Sequence, residues 1–391
     1  MMEYDIALKE LNICTNTKII TGDLYIKDGQ IKHIVKQPNR SSFNAEKSIN
    51  LSHDFYVIPG MIDIHTHGTA GSDIMDATFK SLDNIANTLP TEGTTSFLAT
   101  TMTEDVDKIE NVMINARNFI ESNNNSGAEI LGINLEGPFI SPKKCGAQNP
   151  EKIINPDIEL FSKWQHLANN LIKIVTIAPE QPGAIKFVEY LKNNSITASI
   201  GHTNATYDET KKAIESGATH ATHIFNAMSG INHREPGATT ALLLSPKVST
   251  ELIADGIHLH PVVIKLIFKI KGEDNIILIT DSMRAKCLGD GSYDLGGQIV
   301  RVKNNKASLD NGALAGSMLK MHGAFINMRN FCNIDLLKLI KMTSENPAKL
   351  LNIFYRKGSI QVGKDADLVI LGKDFNLVMT ICKGNIVYSS L

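Results

Sequence analysis

Between residues 56 and 279 the sequence repeats one pattern, a short apolar run followed by a stretch of helical periodicity. The apolar runs lie at 56–65, 95–100, 130–135, 172–178, 197–200, 221–225, 249–254 and 276–279. Near-continuous apolar runs of this length read as strands buried on both faces, as parallel strands are. Between them, 105–120 places Val106, Ile109, Val112, Met113, Ala116, Phe119 and Ile120 at spacings of three and four, one face of a helix. The stretches 184–191, 208–215 and 261–271 behave alike, the last opening on Pro261, which suits a first helical turn. Eight strands alternating with helices over about 300 residues predict an α/β fold, a (β/α)8 TIM-like barrel. A doubly wound open sheet is the alternative, but no Gly-x-Gly-x-x-Gly turn follows the first strand.

The two ends differ from the middle. Residues 23–27 and 30–35 alternate loosely around Asp28-Gly29, a strong hairpin signal. The stretches 367–371, 378–382 and 385–388 look like strands as well, with Lys383-Gly384 as a turn. We therefore expect residues 1–57 and 355–391 to form one small, discontinuous β-sandwich domain, with 58–354 inserted as the barrel. After the eighth run, 284–313 is irregular and rich in Gly, Asp and Asn, with a β-excursion expected at 298–311. Helical patterns return at 317–329, 335–342 and 345–351, and 123–126 reads as a polar loop.

A formal charge of −2 and a pI near 6.6 argue against bulk electrostatic binding to nucleic acid or to an anionic membrane. The best membrane-span candidate, 262–270, is short and broken by Lys265 and Lys269. Met1-Met2-Glu3-Tyr4-Asp5 lacks the basic and apolar regions of a secretion signal. The five cysteines are widely spaced and form no Cys-x-x-Cys pair, as expected of reduced thiols in a cytoplasmic protein.

In a barrel of this kind functional groups gather where strands end. Run one ends in His65-Thr66-His67, whose histidines share a face if the strand continues through them. Run three presents Glu136, run five His202, run six His223 and Asn226, and run eight Asp281. Singly, each has an ordinary explanation: a hydrogen-bonded histidine, a solvated glutamate, an aspartate capping a helix. Four histidines and two carboxylates at the ends of five strands on one face are hard to explain as packing. Nitrogen and oxygen donors without thiolate suit Zn²⁺, Fe²⁺, Mn²⁺ or Co²⁺. Arg234, read alone, is a surface ion-pairing residue, for instance with Glu235.

The His-x-His after strand one, the histidines after strands five and six and the aspartate after strand eight resemble the amidohydrolase superfamily. The strings LEGPF, GHT, THIFNAMSG, HREPG, ADGIH, TDSM and LAGS are similar to those of its N-acetylglucosamine-6-phosphate deacetylase family. That resemblance implies a metal-dependent hydrolase that releases acetate from an N-acetylated sugar phosphate. Glu136, His202 and His223 would hold the principal divalent metal, and His65 and His67 would complete a second site, for one or two ions per subunit. Asp281 would serve as general base and then general acid. Arg234 and His258 would bind the phosphate, with Arg234 reaching in from the neighbouring subunit of a homodimer. Asn226, Ala227, Ala147, Gln148, Leu314, Ala315 and Gly316 would line the sugar pocket. Related barrels carry a carbamylated lysine at the end of strand four, whereas here Lys173 lies near that strand's start. A different amidohydrolase acting on a cyclic amide, or a catalytically silent sugar-phosphate binder, is the competing expectation.

Overall fold

The structure, a computed structural model, describes residues 4–38, 43–122 and 127–391. The polar loop expected at 123–126 and the first three residues of the chain lie outside them. Eight parallel strands run round the centre in sequence order: Met61–Thr66, Thr94–Thr100, Glu129–Leu135, Ile172–Ile177, Thr197–Ile200, His220–Ala221, Ser249–Ile253 and Ile276–Ile279. Helices follow most of them, so the expected (β/α)8 barrel is present. The first and last strands are drawn together beyond their ends. Asp281 N–H donates to His65 O at 2.8 Å, and His67 N–H donates to Ser282 O at 2.9 Å. Thr66 Oγ1 and Ser282 Oγ lie 2.9 Å apart across the same seam. The closure of the barrel therefore runs through the residues that flank the histidine pair.

The first apolar run is two strands rather than one. Tyr56–Pro59 pairs antiparallel with Leu368–Leu371 and parallel with Tyr4–Cys14, and Met61–Thr66 enters the barrel. The break falls at Gly60, where a β-carbon would sit 2.1 Å from Thr95 Oγ1. Only a residue without a side chain lets the chain cross between the sheets here. The sixth run is shorter than expected. His220–Ala221 is its only ladder, and Thr222 to Ala227 turns away with positive φ at His223, Phe225 and Ala227.

Both chain ends join in one eight-stranded sheet. It comprises Tyr4–Cys14, Ile19–Lys27, Gln30–Lys36, Ala45–Asn50, Tyr56–Pro59, Leu368–Leu371, Leu377–Cys382 and Asn385–Ser389. Leu8, Leu11, Ile13 and Leu24 pack there against Leu368, Ile370 and Ile381. The expected hairpin turns at Asp28 and Gly29, both left-handed, and Asp5 Oδ2 accepts the Asp28 N–H. The irregular stretch after the barrel forms a three-stranded antiparallel sheet, Gly291–Leu295, Gln298–Lys303 and Lys306–Ser308. Phe161 and Trp164 are buried in the barrel's outer core, as their helical spacing predicts, with Phe139 stacked on Trp164.

A charged cluster ties the barrel to the segment that leads back into the terminal sheet. Arg356 donates to both oxygens of Glu129, at 2.9 and 3.0 Å, and Lys357 Nζ lies 2.8 Å from Glu129 Oε2. Lys357 also bonds Asp367, and Arg356 bonds Asp365. Burial alone would raise the Glu129 carboxyl, but Lys357 and Arg356 outweigh it and hold it down at about 2. A depressed carboxylate contributes stability above its unfolded pKa and loses it as pH falls through the folded one, here on the order of 3 kcal/mol. Glu129→Gln should therefore lower the unfolding free energy by about 2–3 kcal/mol at pH 7. The gap to the parent protein should close between pH 4.5 and 2. Urea midpoints over that range test it, and a gap independent of pH would contradict it.

Candidate active site

At the carboxyl ends of the strands, four imidazoles face one carboxylate. Glu136 follows the third strand, and the chain turns away at Gly137, where a β-carbon would fall 1.9 Å from Thr103 Oγ1. His223 Nε2 lies 2.8 Å, His202 Nε2 3.2 Å and His65 Nε2 3.4 Å from Glu136 Oε1. His67 Nε2 lies 3.3 Å from Glu136 Oε2. Asp281 completes the group, its Oδ1 3.2 Å from His67 Nε2 and 3.5 Å from His65 Nε2. All six side chains are buried or nearly so. His202, His223 and Asp281 adopt left-handed backbone, φ 44°, 24° and 50°, a strained conformation for such residues that is found where structure serves a site.

The donor set suits a divalent cation. The ligand atoms of His65, His67 and Glu136 lie within 4.8 Å of one another, as do those of Glu136, His202 and His223, and of His65, His223 and Asp281. His202 Nδ1 donates to the Lys144 carbonyl at 2.9 Å, which leaves its Nε2 a lone pair facing Glu136. His65 Nε2 is buried without a hydrogen-bond partner while aimed at two carboxylates. Such a nitrogen is what a ligand to a metal requires. Despite burial, the imidazoles of His65, His202 and His223 hold Glu136 well below the usual carboxylate range, and His65, His67 and His223 lower Asp281. Burial would lower His67, yet its contacts with Asp281 and Glu136 raise it to about 9. The imidazoles thus offset the charge of the two buried carboxylates.

A cavity of about 270 Å³ opens above this floor. Asn226, Ala227, Ala147, Gln148, Leu314 and Gly316 line it, together with His258. Asp255 orients His258 by accepting from its Nδ1 at 2.7 Å and from its backbone N–H at 2.8 Å. Ala315 does not reach the cavity. It is buried in an apolar cluster with Met283 and Leu295. Arg234 is exposed on the loop before helix Gly237–Leu244, away from the cavity, and its side chain makes no ion pair among the described residues. Gln148 does more than line a wall. Thr103 N–H donates to its Oε1 at 2.6 Å, which fixes the amide so that Nε2 donates to Glu136 Oε2 at 2.8 Å.

Sequence reasoning missed Met102 and Leu295, which form the apolar side of the cavity, and Glu251, which accepts from His65 Nδ1 at 2.9 Å. Leu295 arrives from the three-stranded sheet, whose long-range placement no local pattern announces. Glu251 left a faint signal, a charged residue directly before the aliphatic Leu252 and Ile253 in a buried strand. Lys173 bonds the Asn170 carbonyl near the start of strand four, and it belongs to none of the metal-competent groups among the described residues.

The chain matches the amidohydrolase family over residues 56–387. It is 48% identical to the N-acetylglucosamine-6-phosphate deacetylase of Bacillus subtilis, across 100% of this chain and 98% of that protein. It is 33% identical to an N-acetylgalactosamine-6-phosphate deacetylase of Escherichia coli, across 84% and 86%. A mutant N-acetyl-D-glucosamine-6-phosphate deacetylase of Mycobacterium smegmatis, solved with N-acetyl-D-glucosamine-6-phosphate, superposes with a TM-score of 0.92 at 29% identity, covering 99% of this chain and 100% of that one. With the family matched over most of its length and relatives alike from end to end, this chain belongs to the amidohydrolase family.

Proposed function

We propose that this chain hydrolyses the acetamide of N-acetyl-D-glucosamine 6-phosphate, giving D-glucosamine 6-phosphate and acetate in amino-sugar breakdown. The observation that carries the reading is the position of Asp281, at the edge of the histidine–Glu136 floor and open to a cavity whose wall bears His258. Full-length likeness to deacetylases of this substrate class supports it. Glu136, His202 and His223 would hold one divalent ion, and His65 and His67 a second that shares Glu136. The donors suit Zn²⁺, Fe²⁺, Mn²⁺ or Co²⁺. When bound, such an ion polarises a carbonyl and brings the pKa of water to about 7.

The chain's own residues supply the rest. Asp281 is held ionised, so it can accept a proton from the water that attacks the acetamide carbon. It then returns that proton to the sugar nitrogen as the C–N bond breaks, leaving acetate and a free amine. His258, with Nδ1 committed to Asp255, presents Nε2 to the phosphate. The Arg234 side chain is exposed and makes no ion pair among the described residues, so we assign it to the phosphate of a neighbouring copy's site in a homodimer, where a guanidinium pairs with two phosphate oxygens. No helix among the described residues is long and apolar enough to cross a membrane. Five unpaired thiols suit the reducing cytoplasm, where we place the enzyme.

Acetate release from N-acetylglucosamine 6-phosphate, its galactosamine counterpart and the unphosphorylated sugar tests the reaction. No acetate from either phosphate ester by metal-replete protein would sink it, and equal rates with and without phosphate would sink the roles of His258 and Arg234. Asp281→Asn should keep its metal yet lose about 10²–10⁴-fold in kcat, with KM little changed. Near-normal turnover in that variant would rule out the proton shuttle. Arg234→Ala should raise KM at least tenfold while sparing kcat, and sedimentation of the same protein should report a dimer.

A further inference from the structure

Glu251 has no part in the chemistry assigned above, yet it touches both halves of the metal floor. It sits fully buried in the middle of the seventh strand, Ser249–Ile253, beside the apolar Leu252 and Ile253. Its Oε2 accepts from His65 Nδ1 at 2.9 Å and from the backbone N–H of His223 at 3.0 Å. Its Oε1 lies 3.2 Å from His220 Nε2, and His220 Nδ1 lies 2.7 Å from Ser249 Oγ. We propose that Glu251 is a positioning residue that locks the two metal positions into one geometry, acting through the His65 ring and the His223 backbone.

Two physical effects meet in that carboxylate. A carboxylate acceptor requires the hydrogen of His65 on Nδ1, so Nε2 keeps its lone pair towards Glu136 and Asp281. The other tautomer would turn a hydrogen towards the cation and remove a ligand. The second effect concerns the turn after strand six, where His223 stands at φ 24° and Phe225 and Ala227 follow with positive φ. Strain of this kind persists only where the surroundings over-determine it. The Glu251 oxygen supplies a charge-assisted anchor for the His223 N–H, and the same oxygen holds His65. His65 belongs to one ligand group with His67 and Glu136, and His223 to another with Glu136 and His202, so a single atom ties the two together. Packing does not ask for a carboxylate here, since the next two residues of the strand are aliphatic and equally buried.

The inference rests on the metal-site reading, and its test needs no substrate. Glu251→Gln keeps the shape and can place an oxygen where Oε2 was, so it removes the charge and leaves the geometry. Glu251→Leu removes every acceptor. The dissociation constants of Zn²⁺ would be measured by chelator competition, with metal content per chain and the melting temperature of the metal-free protein. We expect Zn²⁺ binding about 10-fold weaker in Glu251→Gln and about 100-fold weaker in Glu251→Leu. Both ions should weaken together, and in Glu251→Gln the metal-free melting temperature should hardly move. A Gln variant with parental Zn²⁺ affinity overturns the proposal, and more so if its metal-free melting temperature has fallen, which would mark a purely structural role. Should the Leu variant fail to fold, the Gln variant decides alone. Parent protein that binds Zn²⁺ but releases no acetate overturns the proposed reaction and leaves the Glu251 measurement intact.

Discussion

The interaction on which the catalytic end depends is the meeting of Glu136 with the Nε2 atoms of His65, His67, His202 and His223. A carboxylate buried to this degree is tolerated only when cationic or hydrogen-bonding partners surround it. Those partners come from strands one, five and six, which adjoin Glu136 only because the barrel closes. Closure is itself made by Asp281 N–H bonding the His65 carbonyl and His67 N–H bonding Ser282, so the seam of the fold and the site share the same residues. Little freedom remains for either to shift without the other.

Around that centre lies a ring of supports that do no chemistry. The Lys144 carbonyl fixes the ring of His202, Gln148 steadies Glu136 from the side, and Asp255 turns His258 towards the cavity. The Lys144 and Asp255 contacts each engage Nδ1 of a histidine and leave its Nε2 facing inward. The left-handed turns at His202, His223 and Asp281 belong to the same design. They bring side chains back over the barrel mouth, a course that an extended strand end would not give, and the surrounding hydrogen bonds offset the strain.

The cavity is walled by rigid and added parts. The barrel itself supplies the histidine–carboxylate cluster and Asn226, whereas Met102 lies against Gly296 in a turn of the three-stranded sheet and Leu295 comes from that sheet. Gln298 Nε2 of the same sheet donates to the Ala147 carbonyl, fastening the loop that carries Gln148. An excursion from the barrel thus closes one side of the cavity.

The barrel was legible because buried parallel strands must be apolar throughout and helices must repeat at 3.6 residues, both local properties of the chain. The clustered histidines and carboxylates were legible because metal chemistry favours those residue types, and the fold gathers them at strand ends. What stayed hidden depends on contacts between distant segments. Gly60 divides the first run because Thr95 occupies the space beside it, and strand six shortens because His223 must turn. Ala315 packs into the apolar cluster while its neighbours face the cavity, and Leu295 arrives from a separate sheet. Glu251 shows the division best. By itself the sequence determined that a carboxylate lies beside Leu252 and Ile253 in a strand-forming run. Only the tertiary structure decided that it stands under His65 and His223, because hydrogen bonding across a barrel depends on which strands closure makes neighbours.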